Sequence, residues 1–150
     1  MNYNGYRQNW HPVLTLLNQS LFAEQMVCSI STQLFHIDAT KDLEGNVEMH
    51  NHLVPASYHR VTALGAANRL QNGESHDSVI QTMISCINNA LKEDQGITKW
   101  LPVMLEDAPD DYKPFIQSIS NWQQQKEQTL LSAQQHLTQM GYEVNTQNQY

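Results

Sequence analysis

The sequence predicts an all-α fold of four to five helices, and three observations point to it. Apolar residues recur at three-to-four spacing through long stretches, the period of a helix with one buried face. No stretch alternates for more than a few residues in the manner of a half-buried strand. No strand–helix alternation of the βαβ kind occurs, which removes the doubly wound nucleotide-binding folds. With 150 residues, 40% of them apolar, the chain is sized for a single domain over 1–150 with a core of its own. The helices are expected to pair as antiparallel hairpins, packed as a bundle or as a short repeat-like stack.

The first helical pattern places Trp10, Leu14, Leu17 and Leu21, then Val27, Ile30, Leu34 and Ile37, at helical spacing. Pro12 suits a first helical position, where its missing N–H is no loss. The two runs are out of phase around Asn18 to Phe22, so residues 10–37 form either one helix or two. Residues 38–54 lack periodicity, contain Gly45 and read as a long loop.

A second helix is expected from Pro55 through Tyr58, Val61, Leu64, Ala67 and Leu70, ending at Gly73. A third begins at once, capped by Ser75 or Asp77, with Val79, Ile80, Met83, Ile84, Ile87 and Leu91 as its stripe and Gly96 as its end. So short a connection makes these two an antiparallel hairpin. Pro102 and Pro109 bracket a short helical turn at most, and Asp110 caps the last helix. That helix shows Tyr112, Ile116, Ile119, Leu130, Ala133, Leu137 and Met140 and closes at Gly141. Its stripe lapses at Gln123 and Lys126, which implies a kink or a departure from the core. Residues 1–9 and 142–150 are expected to fray.

Net charge is −7, and the eight Lys and Arg are scattered. Phosphate recognition needs clustered cations, so no nucleic-acid partner is expected, and the same deficit argues against anionic lipid. No window approaches the roughly 18 continuous apolar residues of a membrane span, and the first ten residues lack the basic and apolar regions of a secretory signal. Cys28 and Cys86 lie in apolar helical patterns and read as buried thiols of a reducing cytoplasm.

The stretch GNVEMHNHLVPASYHR carries His50, His52 and His59 with Glu48 close by. Imidazoles at such density raise the possibility of a zinc-type site. Bundle metal sites, however, draw ligands from facing helices at Glu-x-x-His spacing, which this chain lacks. The simpler reading is a polar segment without a ligand, and no cofactor is expected. Glu106, Asp107, Asp110 and Asp111 lack the spacing of a calcium loop and suit the N-terminal end of the last helix. Neither cysteine has an activating neighbour in sequence, so nucleophilic catalysis has no evident residue.

The segment 57–91 resembles a tetratricopeptide repeat. Val61, Leu64 and Gly65 stand where that repeat has its W-x2-L-G, Asn68 replaces its aromatic, Gly73 falls one residue late, and Ser78 and Ser85 occupy small-residue positions. The resemblance implies a helical scaffold that binds another protein in a concave groove.

These readings converge on a non-enzymatic, cytoplasmic protein-interaction module that also has scope to self-associate. Trp100, Trp122, Gln123 and Gln125 are the candidate contact residues, because large aromatics dominate interface energetics. Two alternatives stand beside it: a helical-bundle metal protein or enzyme using His50, His52 and His59, and an acidic regulator that sequesters a basic partner.

Overall fold

The computed structural model describes residues 8–144. Among them the chain forms four α-helices, α1 (His11–Leu34), α2 (Asn46–Gln71), α3 (Asp77–Asp107) and α4 (Lys113–Gln139), with a short 3-10 turn, Asp110–Tyr112, before α4 and no strand. One end of the molecule gathers the start of α1 (Trp10, Val13, Leu17), the end of α2 (Ala63, Ala67, Leu70), the start of α3 (Ile80, Met83, Ile87) and the end of α4 (Leu130, Ala133, Leu137). The other end gathers their opposite halves, including Val27, Leu34, Met49, Leu53, Ile97, Met104, Ile116 and Ile119. Chain neighbours therefore run antiparallel. The arrangement is an up-down-up-down four-helix bundle.

Each helix keeps an unbroken three-to-four register of buried positions, and this sets the helix limits where local signals suggested otherwise. In α1 the series Val13, Leu17, Ser20, Glu24, Val27, Ser31, Leu34 is buried throughout, so residues 11–34 are one helix. The apparent change of phase around Asn18 to Phe22 arises because two core positions, Ser20 and Glu24, are polar.

The helix expected to begin at Pro55 begins nine residues earlier, at Asn46, and the loop expected over 38–54 is confined to 35–45. Asn46, Met49, Leu53 and Ala56 are buried on the register that continues through Arg60, Ala63, Ala67 and Leu70. Pro55 sits inside the helix and removes one backbone donor, yet tertiary burial on both sides of it holds the helix together. The buried Asn46 anchors this first turn to α1: its Nδ2 donates to the Ser31 carbonyl at 3.2 Å and its Oδ1 accepts from Ser31 Oγ at 2.8 Å. Gly45, at φ 94°, precedes it. A Cβ there would stand 3.2 Å from Met104 Cγ and 3.3 Å from Trp100 Cε3, so the turn rests directly on α3.

Likewise α3 does not stop at Gly96 or at Pro102. Ala90, Asp94, Ile97, Leu101 and Met104 continue its buried face to Asp107, and His76, rather than Ser75 or Asp77, is its N-cap residue. Gly96 lies inside the helix with the His52 ring upon it: a Cβ at 96 would fall 2.5–2.6 Å from three ring atoms. Gly65 of α2 is the opposite case, exposed and with nothing within 4 Å of an added Cβ.

Asp110 belongs to the 3-10 turn, and α4 starts at Lys113, whose Nζ donates to the Leu105 carbonyl at 2.7 Å near the end of α3. Helix α4 passes through Gln123 and Lys126 without leaving the core, both being buried on the register Ile116, Ile119, Gln123, Lys126, Leu130, Ala133, Leu137. After Gly141 (φ 100°) the chain turns back, and Tyr142 stacks on Trp10 with ring centroids 5.7 Å apart. Residues 142–144, expected to fray, are thus held at their start. Of the other residues expected to fray, Gln8 and Asn9 precede α1 as exposed, non-helical chain, and 1–7 and 145–150 lie outside the described residues.

Candidate functional site

Between the two apolar clusters the core is ionic. Glu24 of α1, Arg60 of α2, Asp94 of α3 and Lys126 of α4 all have fully buried side chains. Each occupies a core position of its own helix, so the bundle carries one charge per helix, two of each sign, at mid-height. Arg60 and Asp94 form a bidentate pair, Nη1–Oδ1 at 3.1 Å and Nη2–Oδ2 at 2.5 Å. Lys126 Nζ donates to Glu24 Oε1 and lies 3.3 Å from Asp94 Oδ1. Arg60 Nη1 stands 4.0 Å from Glu24 Oε1, which closes the circuit.

Short polar side chains complete it. Arg60 Nε donates to Ser20 Oγ at 2.8 Å, and Ser20 Oγ donates to the Lys126 carbonyl at 2.9 Å. Ser57 Oγ donates to Glu24 Oε2. Gln123 Nε2 donates to the Asp94 carbonyl at 3.4 Å, leaving its own buried Oε1 unpartnered. Desolvating an ion is expensive unless charge and hydrogen bonds are both answered, and here they are answered within the layer. Each charged atom of the layer faces protein, and its two carboxylates, Glu24 and Asp94, are both engaged by the two cations.

Cys28 lies at the margin of this layer, 3.8 Å from Glu24 Oε2 and 3.9 Å from Ser57 Oγ. Burial first, then the negative charge of Glu24, push its thiol above the ordinary 9.0. A protonated thiol is a poor nucleophile. Cys86 is also pushed up by burial, and the two cysteines are not joined.

The histidines do not converge. His50 Nε2 meets Ser31 Oγ on α1 and packs against Phe35, with ring centroids 4.9 Å apart. His52 Nδ1 pairs with Glu93 of α3 at 2.8 Å. His59 turns to Tyr58, its Nδ1 buried and unpartnered. Glu48 is exposed. The physical reason is the early start of α2: on a helix residue 50 points away from residues 52 and 59, and those two share a face but stand two turns, roughly 10 Å, apart, whereas a loop would have let them gather. Among the described residues no group of three His, Cys, Asp or Glu side chains is placed to hold a metal ion.

Of the candidate contact residues, Gln123 is inside the bundle and unavailable to a partner, a correction that follows from its core register. Gln125 is exposed. Trp100 and Trp122 are half-buried against the second apolar cluster, and Trp122 meets the exposed Phe22 edge-on, centroids 5.7 Å apart. A shallow groove of about 200 Å³ runs between α3 and α4, lined by Leu101, Pro102, Leu105 and Ile116 with Thr98, Gln117 and Ser120.

The surface feature that sequence reading missed is on α2. Val47, Val54, Tyr58 and Val61 are 57%, 71%, 65% and 55% exposed, on the side of the helix opposite its buried register. Helix α2 is apolar on two faces, so Tyr58 and Val61 were legible as helical residues but not as solvent-facing ones.

The fold and its ionic layer define an antiparallel four-helix bundle with a closed charged core. No family model matches the chain, and no curated protein or solved structure shows significant similarity to it. Among the described residues no helix is long and apolar enough to cross a membrane.

Proposed function

We propose that this protein is a non-enzymatic interaction module that docks on another polypeptide through the outer face of α2. One observation carries this reading: four large apolar side chains, Val47, Val54, Tyr58 and Val61, stand in solvent along one face of a long helix. Single exposed hydrophobics are ordinary, but an aligned series marks an interaction site. Its 7-4-3 spacing suits helix-on-helix docking, in which anchors recur every three to four residues. The closed ionic layer adds support, since it gives the bundle a fixed shape without offering a reactive group. Phe22 with Trp122 forms a second, smaller apolar patch, with Gln125 on the same helix as Trp122. The unpaired Cys28 and Cys86 are in keeping with a reducing cytoplasm as the place of action.

The test is capture from extract of the source cells by wild-type chain and by a Val54→Ser/Tyr58→Ser variant whose helical circular dichroism is unchanged. Partner recovery should fall at least tenfold in the variant. Equal recovery by both would refute α2 as the docking face.

A further inference from the structure

We infer that the outer face of α2 is built to pair with a second copy of itself, antiparallel, about a two-fold axis between Tyr58 and Val61. This rests on the reading of α2 as a docking face and names its occupant.

The exposed seam of α2 runs Val47, Asn51, Val54, Tyr58, Val61, Gly65, Asn68 and on to Asn72, which caps the helix, all solvent-facing and at alternating four- and three-residue steps. Such a repeat is the seam of a two-helix contact. Laid antiparallel on itself, the series is self-complementary. Tyr58 faces Val61 of the second copy, Val54 faces Gly65, Asn51 faces Asn68, and Val47 faces Asn72. Each large side chain meets a smaller or equal one, and the two inner asparagines meet each other, amide to amide. Gly65 explains itself only in this setting. It weakens the helix, it makes no close approach within its own chain, and on the second copy it supplies the notch for Val54.

Charge selects the same geometry. The chain as a whole carries −7 and repels its copy. On the exposed face of α2 itself, however, the formal charges are only Glu48 and Arg69, which lie on the same flank near opposite ends, with Glu74 just past the helix beside Arg69. An antiparallel copy brings Glu48 beside Arg69 at both ends of the seam, in addition to the exposed pair, 3.0 Å long, that Arg69 already makes with Glu74. A parallel copy would leave both without an opposite charge. A two-fold contact of this kind uses the same patch on both chains and closes at two.

Sedimentation equilibrium of the full chain tests this, supported by circular dichroism to show that variants stay helical. The wild type should populate a species of twice 17.2 kDa, with dissociation on the order of tens of micromolar for a contact below the standard interface size. Val54→Glu should weaken it at least tenfold. Gly65→Leu fills the notch and should do the same. Glu48→Lys and Arg69→Glu should each weaken the dimer by roughly threefold to tenfold, and the double exchange should restore it. A wild type that is monomeric at several hundred micromolar overturns the inference. A dimer indifferent to Val54→Glu, or one the double exchange does not restore, overturns it as well. If the chain is monomeric yet extract capture still depends on Val54 and Tyr58, the self-pairing fails while the docking face stands.

Discussion

Arg60 and Asp94 face each other across the α2–α3 contact through two parallel hydrogen bonds, with neither side chain reaching solvent. A bidentate guanidinium–carboxylate pair fixes rotation as well as distance. It therefore sets one helix's register against the other, and the Lys126–Glu24 pair does the same for α4 and α1.

Removing one member of this layer is expected to be severe. Asp94→Ala leaves the Arg60 and Lys126 cations buried with one carboxylate between them, and should cost about 3–5 kcal/mol of stability, measured by urea denaturation. Replacing Glu24, Arg60, Asp94 and Lys126 together by Leu or Met should be far milder, or even stabilising. A fourfold variant less stable than Asp94→Ala would show that the layer contributes net stability.

The two helical glycines outside the turns should respond in opposite ways. Gly65→Ala adds a Cβ into open space and should stabilise the monomer by about 0.5–1 kcal/mol, read from the melting temperature at low concentration. Gly96→Ala drives a Cβ into the His52 ring and displaces it from Glu93, so the same helical gain is offset. Gly96→Ala should stabilise only in a His52→Ala background, which a double-mutant cycle reports as coupling between the two sites.

His50 should give the protein an acid-sensitive component. Burial lowers its pKa below the ordinary 6.5, and a hydrogen bond with Ser31 acts in the opposite sense. A group whose folded-state pKa is depressed contributes stability above its unfolded value and loses it as pH falls. The melting temperature should therefore drop as pH is taken from 7 towards 5, and His50→Gln should flatten part of that drop. An unchanged pH profile in His50→Gln would remove His50 as the cause.

Cys28 should be slow to alkylate at neutral pH, because burial and Glu24 keep it protonated. For a thiol raised above 9.0 the stability contribution is full below that value and lost as pH rises past it. Iodoacetamide kinetics on a Cys86→Ser variant should give a rate well below that of a free thiol at pH 7.5 and a steep rise only beyond pH 9. Rapid modification at neutral pH in the folded state would contradict the burial.

How legible the molecule was in its sequence depended on which residues held the core register. Where those positions are Leu, Ile, Val or Met, as from Val79 to Ile87 or Leu130 to Leu137, the helix and its buried face followed from spacing alone. Where they are Ser20, Glu24, Arg60, Asp94, Gln123 and Lys126, the period ran on unseen, because polar residues at helical spacing ordinarily mark a wet face. The signal was present all the same. Continuing the three-to-four count through α4 lands on Gln123 and Lys126, and through α2 on Arg60, but each helix taken singly shows only one charge of the four.

The all-α class, the α2–α3 hairpin with its turn at Gly73 and the close of α4 before Gly141 were thus determined by the sequence, through short-range periodicity and turn residues. Tertiary structure alone decided that α2 starts at Asn46, that α3 crosses Gly96 and Pro102, and that four charges from four helices meet. Local propensity amounts to tenths of a kcal/mol for ordinary residues, about 1 kcal/mol for glycine and about 3 kcal/mol for proline, whereas burial of Met49, Leu53, Ile97 and Met104, at about 1.5–3 kcal/mol each, exceeds any of these when summed. Long-range packing therefore outweighs a proline or glycine within a helix, and it alone can set an acid of α1 beside a lysine more than a hundred residues away.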